Sequence, residues 1–115
     1  MKIVAPEGNR FDIALELLRE GRAFSLSNVQ FWIDRDNRVL YVSVTTRWEL
    51  ENLTKEIGSS EIEHGREVYQ RLLAASDEFG EIVKDYLPRF SLVHDYGTGC
   101  VEIGWLLDDQ LVWNL

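Results

Sequence analysis

The stretch VHDYGTGCVEIGW, residues 93–105, places the chain's only cysteine, Cys100, six positions after His94, with Asp95 beside the histidine. Thiol, imidazole and carboxylate are the parts of a nucleophilic site, provided thiol and base come within hydrogen-bonding distance. Strand register decides whether they do. Phe90, Leu92 and His94 alternate with Ser91, Val93 and Asp95. A loop of two or four residues then puts the first group on one face with Val101, Ile103 and Trp105, and burial of that face fixes the register. His94 points to the core side and Cys100 to the other, beside Asp95 and Glu102. Carboxylates so placed disfavour a thiolate, which needs electropositive surroundings. The segment reads as a β-hairpin, with His94 a structural histidine whose nitrogens are satisfied near the sheet's end. A small enzyme using His94, Asp95 and Cys100 is the alternative.

Other chemistry is sparse. Glu61, His64 and Glu67 share helical spacing, but a di-iron site needs Glu-x-x-His on two helices and the pattern occurs once. Acids at a helix N-terminus are the ordinary reading. Gly97-Thr98-Gly99 is too short for a phosphate loop, and no Walker sequence or nucleophile elbow exists. Asp108 and Asp109 read as turn residues. No catalytic residue, metal or cofactor is assigned.

The elements that carry these residues follow from pattern. The 115 residues fit one domain, 1–115. MKIVA reads as a short edge strand. Asn9 is the expected N-cap of a helix with Phe11, Ala14, Leu15 and Leu18 on one face and Gly21 as its stop. Residues 28–46 read as a hairpin whose turn at Asp36–Asn37 has two residues, pairing Ile33 with Leu40 and Phe31 with Val42. Thr46 and Glu49 have capping-box spacing for a helix ending at Gly58, and Ser60 and Glu63 repeat it for a helical region reaching Leu87, split near Ser76–Asp77 and ended by Pro88. Strands follow around residues 90–96, 101–107 and 111–115. The expected fold is α+β: an antiparallel sheet of about five strands with helices mainly on one face, in the order α-ββ-α(α)-βββ.

Charge narrows the function. Twenty acids against twelve bases give −8, which argues against nucleic acid and anionic membranes as partners and favours a basic protein. Residues 60–87 hold seven acids against three bases. Trp32 and Tyr41 fall on the hairpin face opposite the apolar one, where such side chains anchor interfaces. The expected partner-binding residues are therefore Trp32 and Tyr41 with Glu63, Glu67, Asp77, Glu78 and Glu81, an acidic rim around aromatic anchors. With no signal-peptide or membrane-length apolar run, the chain is expected in the cytoplasm.

In size, charge and α+β layout the chain resembles the immunity proteins of contact-dependent growth inhibition and other polymorphic toxin systems. That resemblance implies a cytoplasmic protein, not an enzyme, that binds and neutralises a basic bacterial toxin domain such as a nuclease. A nucleic-acid mimic is the second reading, although nine arginines interrupt its acidity. The strand ending LVWNL also offers an edge for a homodimer.

Overall fold

The computed structural model describes residues 6–114, and the MKIVA strand lies outside them. Three helices, α1 (Pro6–Arg19), α2 (Lys55–Ala75) and α3 (Asp77–Val83), accompany six strands: β1 (Phe24–Leu26), β2 (Val29–Asp34), β3 (Val39–Thr45), β4 (Leu87–Asp95), β5 (Cys100–Leu107) and β6 (Gln110–Trp113). The strands form one sheet in sequence order. All neighbours run antiparallel except β3 and β4, which are parallel. The fold is α+β as expected, with six strands rather than about five and a mixed sheet rather than an antiparallel one. The parallel pair requires a crossover, and α2 with α3 supplies it.

Alternation fixes the first hairpins. Val29, Phe31 and Ile33 are buried while Gln30 and Trp32 are exposed, and Ile33 pairs with Leu40 and Phe31 with Val42 as their pattern requires. The connection is four residues, Arg35–Arg38, not two, because Asp34 and Val39 already form the last pair. Asp34 caps this loop by accepting from the backbone and side chain of Asn37. Strand β1 is an addition to the expected pattern. It turns into β2 through Ser27 and Asn28, whose φ values of 53° and 67° are those of a type I′ turn.

The helices start and stop differently from the sequence reading. Asn9 lies inside α1. That helix does end where expected: Gly21, at φ 77°, donates to the Leu18 carbonyl while Arg22 donates to that of Leu17. Thr46 and Glu49 start no α-helix; only a 3₁₀ turn, Leu50–Asn52, forms there. Helix α2 begins at Lys55, capped by the Thr54 hydroxyl accepting from Ile57 N–H, and runs unbroken past Gly58 and Ser60. Gly58 is thus a contact residue, not a stop. A Cβ there would sit 2.7 Å from Trp113 Cη2, and one on Gly65 2.9 Å from Val44 Cγ2, so both glycines let α2 lie close on the sheet. Ser76 splits α2 from α3 as anticipated, its hydroxyl accepting from Phe79 N–H. Pro88 ends no helix; α3 stops at Val83 and Pro88 belongs to β4.

All three helices cover the same sheet face. Ala14, Leu15 and Leu18 of α1, Val68 and Leu72 of α2, and Phe79 and Val83 of α3 pack with Phe24, Phe31, Leu40 and Val42. Ile62 joins Leu92, Ile103 and Leu111 in a second cluster, and Phe90 touches both. Among the described residues no helix lies on the other face.

Candidate protein-binding surfaces

The uncovered face is dressed by its own side chains. Trp32 pairs across β2 and β3 with Tyr41, their ring centroids 5.2 Å apart, and Tyr41 pairs with Arg89 of β4. The Arg89 guanidinium lies 4.5 Å from the Trp105 ring. It donates to both Glu102 oxygens, at 2.9 and 2.5 Å, and Ser91 Oγ donates to Glu102 as well. Ser91, although on this face, is 1 % exposed. Trp32 is 40 % exposed. The result is a row of three aromatic rings with one ion pair among them.

That ion pair is shielded enough to shift both partners. Burial pushes the Glu102 carboxyl up, but the Arg89 and Ser91 hydrogen bonds and the Arg89 charge outweigh it and hold the group below the ordinary carboxylate value. Arg89 is raised, chiefly by its bonds to Glu102. Both Glu102 oxygens are already committed inside the face.

Trp105 reached this surface through an irregularity the sequence did not reveal. Expected on the core side with Ile103, it pairs instead with Ser91, because the β4–β5 register shifts between Leu92 and Val93. The extra residue, Ile103, stays buried and every position beyond it changes face. Gly104 consequently faces α2, and Trp113 lies against both Gly104 and Gly58.

The hairpin of residues 87–107 keeps His94 and Cys100 apart. Asp95 pairs with Cys100 and His94 with Val101, so histidine and thiol point to opposite faces. A four-residue connection, closed by Tyr96 N–H donating to the Gly99 carbonyl, sets that register. Cys100 is exposed and shares a polar groove with Arg47, Gln30 and Thr45. His94 departs from expectation: its Nδ1 is buried without a hydrogen-bond partner, and its ring meets Tyr96 edge-on at 4.3 Å.

The expected acidic residues sit in the other layer. Glu63 and Glu67 project from α2 and line an open depression of about 560 Å³ with Ser60, His64 and Gln70. His64 also meets the Ser27 carbonyl through Nε2 at 2.8 Å. Asp77, Glu78 and Glu81 lie on α3. Local bases engage several of them: Arg66 with Glu63, Arg71 with Glu67, Arg19 with Glu78 and Lys84 with Glu81. These five acids and the Trp32–Tyr41 pair therefore do not form one surface, since helices and aromatics occupy opposite faces of the sheet.

No family model, curated protein or solved structure matches this chain. Among the described residues no three His, Cys, Asp or Glu side chains are grouped to hold a metal, and no helix is long and apolar enough to cross a membrane.

Proposed function

We propose that this chain is a non-catalytic binding protein that neutralises a basic protein in the cytoplasm, in the manner of the toxin immunity proteins it resembles, and that the helical layer is the surface that meets the partner. The charge segregation carries this reading. Helices α2 and α3 hold seven acids against three bases, whereas the six strands together hold only Asp34, Arg89, Asp95 and Glu102. Internal ion pairs redistribute the helical charge but cannot cancel it. Such a field draws a basic partner to one side of the molecule and raises its association rate. The depression beside Glu63 and Glu67 is large enough to admit lysine or arginine side chains, which would take over the carboxylates from Arg66 and Arg71.

The test is capture of a partner from the native cell by the tagged protein, followed by a salt wash. A single protein of high pI, retained near one-to-one, released by salt, and losing its toxicity when co-expressed with this chain, is the expected result. Salt-independent capture of a neutral or acidic protein would contradict the charge-driven reading.

A further inference from the structure

The bare sheet face calls for a different occupant. A basic partner finds little there, because Glu102 is spent on Arg89 and Ser91 while the two remaining strand acids are engaged at the rim. Asp34 holds Asn37, and Asp95 Oδ1 accepts from Gly97 N–H at 2.7 Å. What the face offers is nearly neutral at its centre: Trp32, Tyr41 and Trp105, with Val39, Val93 and Val112 half-buried among them and a shallow depression of about 280 Å³ beside Trp32 and Tyr41. We propose that this face packs against the same face of a second copy, giving a two-fold dimer with its helical layers outward.

Size favours a second copy, and this geometry limits the cost of its charge. Each chain carries −8, so two copies repel unless their acidic layers are far apart. Stacking sheet on sheet, about 10 Å between them, places both helical layers on the outside, more than a Debye length apart. The contact is isologous, with each Trp32 free to meet aromatic or apolar surface of its mate. Six strands spaced ~4.8 Å apart and averaging roughly 20 Å in length project about 500 Å² per copy, or about 1,000 Å² in all. Full overlap of the two faces therefore meets the size that a specific interface needs, about 1,000 Å². The dimer rests on the bare face and the partner site on the helices, so either proposal can fail without the other.

Sedimentation velocity on the full chain over a concentration series tests this, with Trp32→Glu and Tyr41→Ser as face variants and Glu63→Lys as a helix control. Circular dichroism checks that each variant is folded. The wild type is expected at twice the 13.4 kDa chain mass, its dissociation constant falling as salt screens the outer layers. Trp32→Glu, which sets two new carboxylates against a desolvated contact, should weaken the dimer at least a hundredfold. Tyr41→Ser should weaken it about tenfold and Glu63→Lys should leave it intact. A wild type that stays monomeric throughout overturns the proposal. So does a dimer indifferent to both face variants, which would place the contact at a sheet edge. A monomer whose captured partner is lost in Trp32→Glu also overturns it, and assigns the face to another protein.

Discussion

Phe31 and Trp32 are adjacent in β2 and belong to different physical worlds. Phe31 is fully buried under α1 and α3, stacked on Phe24 at 5.0 Å and edge-on to Phe79 at 5.9 Å. Trp32 lies on the far side, tilted against Tyr41 and open to water. The same contrast runs through the molecule. The covered face is where most of the fold is held; apart from the Arg89–Glu102–Ser91 cluster, the bare face and the outer surface of the helices carry large or charged side chains that folding does not need. Residues spared from stability are those available for recognition.

The contrast can be broken by mutation. Phe31→Ala or Phe79→Ala should destabilise the chain by about 3–5 kcal/mol, the usual effect of emptying an aromatic site in a close-packed core. Trp32→Ala should move the monomer's stability by less than about 1 kcal/mol. Urea unfolding measures both, at a concentration low enough to remove any dimer contribution. Equal effects would mean that the bare face is part of the core.

Gly58→Ala sharpens the account of how the helical layer seats. An added methyl meets the Trp113 ring at a distance no real Cβ adopts, so helix or indole must shift. The gain in helix propensity, about 1 kcal/mol, is expected to be outweighed by overpacking of about 1–3 kcal/mol. A net stabilisation would show that Trp113 moves aside freely.

Glu102→Gln probes the ion pair of the bare face. The folded carboxyl titrates below its ordinary value, so its contribution to stability is present above that value and is lost as pH falls through the folded one. At neutral pH the substitution should cost about 1–2 kcal/mol, between exposed and buried pairs. The two proteins should converge only as pH falls through that depressed folded value, below the ordinary carboxylate range. Parallel pH profiles would show that Glu102 has the same affinity for protons folded and unfolded.

How much of this was legible in the sequence depends on the range over which each feature is decided. The β2–β3 register and the Ser76 cap are local: strict alternation sets the first, and a serine before two acids sets the second. Gly58 was read as a stop because nothing within ten residues distinguishes a terminating glycine from one that a distant Trp113 presses against. Thr46–Glu49 matched a capping box, yet the Thr46 hydroxyl instead accepts from Trp48 N–H and the backbone stays with the sheet, where Thr46 N–H donates to the Val93 carbonyl. Strand β1 is too short for its alternation to show. The parallel β3–β4 pairing joins positions 48 residues apart, a choice that periodicity does not encode. Of the expected binding residues, Trp32 and Tyr41 were recognised as one exposed pair. Their separation from Glu63, Glu67, Asp77, Glu78 and Glu81 became visible only once the layers were stacked, and Trp105 only once the β5 irregularity was known.

The central claim is a division of labour, with the acidic helices for a basic partner and the bare sheet for a second copy. The most direct measurement is partner capture from the native cell by three versions of the tagged protein side by side: wild type, Trp32→Glu, and the double variant Glu63→Lys with Glu67→Lys. The expected result is that wild type and Trp32→Glu retain the same basic protein while the double variant loses it. Retention by the double variant together with loss in Trp32→Glu would reverse the assignment of the two faces and contradict the account.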